Sequence, residues 1–260
     1  MTGAPPAPGV RVEVATWPAV TVHDVDGWRV GLSGGFTRRA NSVVPLGEPA
    51  DVPGAIGRVE ALYATHGQPA VFRVCAAARP HDLAERLAAR GYRPVAVTQV
   101  LVADVPVDAA GTPAPAGLGV PAGTTLDVRP EPDQAWLDAW LGVKATRAVD
   151  VTAARAVLTG THADYLRLTG ERRTGRDAQV LGAVRAAYAE DWVGLSSLVV
   201  VPEARRRGLA RALTAAALTV AGRRGARRAF LQVERTNEPA RRLYRSLGFR
   251  EADEYAYHER

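Results

Sequence analysis

The residues of this chain best suited to chemistry sit in one stretch, Leu198 to Val220. Arg205-Arg206-Arg207-Gly208-Leu209-Ala210 places three guanidinium groups and a glycine just ahead of a helical pattern, with Leu209, Leu213, Ala216 and Val220 at three-to-four-residue spacing. Upstream, Leu198-Val199-Val200-Val201 is the branched apolar run of a buried strand, and Pro202 ends it because proline gives no N–H to a ladder. A strand, an arginine–glycine turn and a helix start together form an anion site. The first N–H groups of a helix lack internal partners and carry partial positive charge. Gly208 lets a phosphate approach the backbone, and the small Ala210 keeps the helix start uncrowded. Taken alone, the same letters also describe a solvated Arg-rich turn, so the residues that follow must decide.

Downstream, Phe230-Leu231-Gln232-Val233 reads as a strand, Asn237 as a helix N-cap, and Tyr244-Arg245-Ser246-Leu247-Gly248-Phe249 as a helix closing on Gly-aromatic. Together the two blocks resemble the GNAT superfamily of acyl-CoA-dependent N-acetyltransferases. The family turn Q/R-x-x-G-x-G/A is matched by Arg205, Gly208 and Ala210. The later signature N-x-x-A-x-x-L-Y-x-x-x-G-F is matched by Asn237, Ala240, Leu243, Tyr244, Gly248 and Phe249. The resemblance covers roughly the last half of the chain. It implies attack of a primary amine on the thioester of acetyl-CoA, the acyl donor, without a metal.

On that resemblance, Leu198, Val199 and Val200 hold the pantetheine arm by backbone pairing, as an added strand would be held. Arg205, Arg206, Arg207, Gly208, Leu209 and Ala210 cradle the pyrophosphate, and Asn237 contacts the cofactor arm. Tyr244 gives a proton to the departing thiolate, although its spacing beside Leu243 and Leu247 also suits a core residue. Three carboxylates are candidates for the base: Glu190, Asp191 and Glu234. Glu234 is favoured because it follows the strand beside the split that the family opens between its fourth and fifth strands. The resemblance leaves the acceptor open among small amines, antibiotics, amino acids and protein amines, and it leaves a homodimer open. A non-catalytic acyl-CoA sensor or interaction module keeps the same cradle without turnover and is the alternative.

The elements needed to position these residues predict an α/β (α+β) protein. A GNAT fold at 125–260, with a mixed, mostly antiparallel sheet flanked by helices, follows a β-rich accessory domain at 11–105. Residues 1–10 read as a Pro/Ala/Gly tail and 106–124 as a Pro/Gly/Ala-rich linker. In the first half, Val12-Glu13-Val14 reads as β-prone, Asp26-Gly27 as a hairpin turn, and Phe36 to Val44 as a strand. Helices are expected at about 53–65 and 81–90, and strands at 71–76 and 95–105. In the second half, Trp136, Leu137, Trp140 and Leu141 give one helix a wide apolar face, suited to core packing or to lining the acceptor pocket. Residues 178–187 and 192–201 form an expected antiparallel pair around Glu190-Asp191. The order strand, helix, Gly-aromatic, strand occurs twice, Gly91-Tyr92 standing 157 positions before Gly248-Phe249. This is the pattern of a duplicated fold whose first copy has lost the arginine–glycine turn and has Leu87 where the second has Tyr244.

Composition narrows the classes further. Forty-seven per cent apolar and 23% charged residues describe an ordinary globular chain, and no apolar run reaches the ~18 residues of a membrane span. The N-terminus has no charged-then-apolar leader pattern, so a cytoplasmic location is expected. Cys75 is the only cysteine, which excludes an internal disulfide framework and a multi-cysteine metal site. A net charge of +6 invites a nucleic-acid reading. Against it, Lys144 is the only lysine, and the Arg/Ala bias fits a G+C-rich bacterial genome better than a binding surface. Little aromatic interleaving is present for stacking bases.

Overall fold

The computed structural model describes residues 6–106, 119–144, 150–171 and 178–260. The first five residues of the expected tail and positions 107–118 of the expected linker lie outside these. The elements in chain order are α1 (Val10–Thr16), β1 (Thr21–Val25), β2 (Trp28–Leu32), β3 (Val43–Pro45), α2 (Val52–Thr65), β4 (Phe72–Cys75), α3 (Leu83–Ala89) and β5 (Arg93–Asp104). The second half contributes β6 (Thr124–Arg129), α4 (Gln134–Lys144), α5 (Val151–Thr159), β7 (Ala163–Glu171), β8 (Ala178–Ala189) and β9 (Trp192–Val200). It ends with α6 (Leu209–Arg223), β10 (Arg228–Glu234), α7 (Glu238–Arg245) and β11 (Arg250–Glu259). No helix among the described residues is long and apolar enough to cross a membrane.

The eleven strands among the described residues join one sheet in the order β1-β2-β3-β4-β11-β5-β10-β9-β8-β7-β6. Only β3–β4 and β9–β10 are parallel, so the sheet is mixed and mostly antiparallel, as expected. The joint between the halves is a reciprocal exchange. β5, the last strand of the first half, lies between β10 and β11, with Leu101 opposite both Leu231 and Glu251. β11, the last strand of the second half, reaches across to β4, with Tyr255 opposite Cys75. The run Val100-Leu101-Val102-Ala103 is buried throughout, the signature of a strand covered on both faces. The pairing pattern repeats as the sequence does: a parallel pair, β3–β4 or β9–β10, followed by an antiparallel strand lent by the other half.

α6 packs on one face of the second-half sheet, over Leu181, Val193, Leu195, Ala229, Leu231 and Val233. On the opposite face, α4 and α5 bring Trp136, Leu137, Trp140, Val157 and Leu158 against Tyr165, Ala183 and Val199. Trp136 and Trp140 are fully buried there, and the indole N–H of Trp136 donates to the Leu166 carbonyl (3.1 Å). Their burial is that of core-packing residues.

Two expectations for the first half are corrected. Val12-Glu13-Val14 belongs to helix α1, not to a strand. Alternating valines mimic a period of two, but Glu13 is buried with Val10 and Val12 because a distant arginine, Arg73, needs its carboxylate. Phe36 to Val44 is not one strand but a single 3₁₀ turn at Arg38–Ala40 and the three-residue β3. Asn41 accepts from the N–H groups of Ser33 (2.8 Å) and Gly35 (3.1 Å), which folds this loop back on itself. The Asp26-Gly27 hairpin is formed, joining β1 to β2.

Candidate active site

The arginine–glycine turn folds as a helix entrance with no side-chain cap among the described residues. β9 ends at Val200, a short 3₁₀ turn (Pro202–Ala204) follows, and α6 begins at Leu209 with Gly208 as N-cap. Gly208 is left-handed (φ 75°) and supplies no side-chain cap. A Cβ built on it would meet no atom within 4 Å, so the space in front of the helix is open. The leading N–H groups of α6 therefore face outward at the positive end of the helix dipole. Arg206 and Arg207 are exposed beside it, whereas Arg205 turns back and donates to the Val200 carbonyl (3.3 Å). Leu209 contributes its backbone only, since its side chain is buried in the core below.

β9 and β10 separate beside this entrance. Their parallel ladder runs from Trp192–Arg228 to Leu195–Leu231 and stops. Beyond it, Ser196 to Val200 pair with no strand on the β10 side among the described residues, while Ser196, Val199 and Val200 stay paired to β8. A bulge opposite Ala183 to Arg185 marks the parting, with Ser197 held at φ 57°. The hydroxyls of Ser196 and Ser197 are buried there without partners among the described residues. Sequence reasoning passed over these serines, although a Ser-Ser pair inside an apolar strand is a legible warning of a bulge. Leu198 and Val200 are half-buried along the open edge, and Val199 turns into the α4–α5 core.

The remaining candidates divide across the sheet. Tyr244 of α7 lies on the α6 face, half-buried against Phe249, the ring centroids 5.8 Å apart. Burial pushes its phenol up to about 12, so it is a protonated group at neutral pH. Asn237 is exposed and caps α7, its side-chain oxygen accepting from the Ala240 N–H (3.2 Å). Glu234 ends β10 in the open and shares the face of Gln232, two residues earlier, because side chains alternate along a strand. Glu190 and Asp191 are far from the parting. They turn the β8–β9 hairpin at the other end of β9, where Asp191 forms a two-point ion pair with Arg228 (2.9 and 3.1 Å).

On the face away from α6, the first half reaches over the parting. Gly194 lets α1 lie flat on β9: a Cβ there would press on the Thr16 hydroxyl (2.9 Å) and the Phe230 ring (2.8 Å). Glu13 of α1 accepts from the fully buried Arg73 (2.5 Å) and from the Gln232 amide. Arg73 also lies 3.8 Å from the Tyr255 ring centroid. Desolvation opposes its charge, but the attraction of Glu13 prevails and the guanidinium ends above its usual range. None of this is legible in the sequence, where Val12-Glu13-Val14 reads only as β-prone.

The family described as "Probable histone acetyltransferase Rv0428c C-terminal" matches residues 11–258. A curated protein of Bacillus subtilis (strain 168) described as "Uncharacterized N-acetyltransferase YobR" is 27% identical over 252 residues, 95% of each chain. Among solved structures, a GCN5-related N-acetyltransferase from Kribbella flavida aligns with TM-score 0.57 and 21% identity over 83% of this chain and 77% of its own. A tandem GNAT protein from the clavulanic acid biosynthesis pathway aligns with TM-score 0.59 and 21% identity, over 80% and 69%. With its family matched across both halves and its sheet parting beside an uncapped helix, the chain belongs to the Rv0428c C-terminal family and is a GNAT-type N-acetyltransferase.

Proposed function

We propose that the chain moves an acetyl group from acetyl-CoA to a primary amine by direct attack on the thioester, in the site between β9 and β10. The observation that carries this is the free β9 edge from Ser196 to Val200 beside the open start of α6. The pantetheine amides pair along Leu198, Val199 and Val200, and the pyrophosphate rests on the N–H groups from Gly208 to Ala210, with Arg206 and Arg207 adding charge. Asn237 keeps its amide nitrogen available for the cofactor arm while its oxygen caps α7. The amine nitrogen bonds to the thioester carbon as the C–S bond breaks. Glu234 takes the proton the ammonium loses, through water, and Tyr244 protonates the leaving sulfur from the α6 face. The first half is a second GNAT-like unit without a donor site of its own.

Titration calorimetry with coenzyme A, followed by an amine library scored for free thiol, tests this reading. Binding heat and amine-dependent thiol release are expected. Absence of heat with coenzyme A overturns it.

A further inference from the structure

Two faces lead to the parting of β9 and β10, and both are covered. α6 packs over one, with Tyr244 on the same side. The other lies under α1 and under the connection from β2 to β3, which belongs to the first half. Arg39 of that connection stands with Trp17 against Ser196 and Gln232, and the space among them is too narrow to admit a water molecule. Direct attack needs an amine at the thioester carbon. The proton donor holds the α6 side, so the amine's route is the side that this connection shuts.

The connection is a strap with a fixed neck and a lightly held tip. At the neck, Asn41 accepts from Ser33 and Gly35, and the Ser33 hydroxyl donates to the Ala40 carbonyl (2.9 Å). At the tip, Phe36 packs edge-on to Trp140 of the second half, the ring centroids 5.7 Å apart. The Thr37 hydroxyl accepts from the Trp17 indole N–H (3.1 Å), and the Arg39 guanidinium lies 5.1 Å from the Trp17 ring centroid. Arg38 pairs with Glu259 at the end of β11, the two side chains 48% and 29% exposed, and ion pairs so placed hold weakly. All of these are side-chain contacts, so the tip leaves without unmaking the sheet. Gly35, at φ 78° with no atom within 4 Å of a Cβ built on it, gives the backbone room to swing. α1, by contrast, is pinned by the buried Glu13–Arg73 pair.

Resting on the acetyltransferase reading above, we propose that the turn from Phe36 to Ala40 is a lid, closed over the acceptor side in this structure, that lifts to admit the amine, with Arg38–Glu259 as its latch. The first half thereby governs acceptor entry while the second half holds the donor. Coenzyme A needs no such lift, since the space in front of Gly208 is open.

The latch is tested by locking it and by releasing it. In a C75S background, which removes the only native cysteine, R38C/E259C joined by a short bismaleimide holds the lid shut. The bridged protein is expected to keep its coenzyme A affinity by calorimetry and to lose at least about tenfold in kcat/KM for the fastest amine of the library, as for a lid that gates turnover. The unbridged variant is expected to match wild type. R38Q, which releases the latch, is expected to raise acrylamide quenching of tryptophan fluorescence. All five tryptophans are at most 5% exposed, and lifting the tip uncovers Trp17 and Trp140. Wild-type turnover by the bridged protein, turnover lost already without the bridge, coenzyme A binding lost on bridging, or quenching unchanged in R38Q overturns the proposal. So does a protein that binds coenzyme A calorimetrically yet acetylates no amine, an outcome that leaves the donor site standing. Absence of coenzyme A binding removes the donor reading and the proposal together.

Discussion

Asp51 and Gly208 are both helix N-caps, 157 positions apart, and they leave their helices in opposite states. Asp51 accepts from the Gly54 N–H (3.0 Å), so the start of α2 is already occupied by a carboxylate. Gly208 presents bare backbone at the start of α6. The strands in front differ in the same sense. β9 runs for nine residues and leaves an edge open past its ladder, whereas β3 has three residues and meets β4 only at Val43–Phe72. At the helix that follows, Tyr244 is matched by the fully buried Leu87. On the proposed reading, one arrangement of strands and helices serves as a binding site or as plain structure according to a few residues at its helix start. A carboxylate cap suits stability, and its absence suits an anion.

The largest effect is expected from separating the two halves. A fragment of residues 119–260 loses β5 from between β10 and β11, and it should show neither cooperative unfolding nor coenzyme A binding by circular dichroism and calorimetry. A folded, binding fragment would break the view that the first half completes the second. Next comes Tyr244→Phe, expected to lower kcat by about 10²–10⁴-fold while coenzyme A affinity holds. Because burial holds the phenol near 12, it stays protonated as pH rises, and a rate profile should show no alkaline fall from this group below about pH 11. Gly208→Asp, which writes the first half's cap into the second, should weaken coenzyme A binding by roughly ten- to a hundredfold through repulsion at the helix dipole. The reciprocal Asp51→Gly should cost only a few tenths of a kcal/mol in chemical denaturation and create no second coenzyme A site.

Much of the second half was legible because its signals are local. The run before Pro202, the glycine before α6 and the asparagine before α7 each specify their element within a few residues, and the structure agrees at all three. The bulge at Ser197 and the role of α1 were not legible. Val10-Arg11-Val12-Glu13-Val14 alternates like a strand, and only Arg73, sixty positions away, explains why it coils with its glutamate inward. β5 and β11 were read correctly as strands, but a strand's own letters do not name its neighbours.

The exchange of β5 and β11 also sets a timetable for biogenesis. β5 leaves the ribosome long before β10 and β11 exist to flank it, and β4 waits equally long for β11. Until β10 and β11 emerge, the nascent polypeptide therefore displays unsatisfied strand edges, which are the usual seeds of aggregation. Maturation of this enzyme should accordingly be sensitive to chaperone supply, and the chain should resist division into two separately expressed parts.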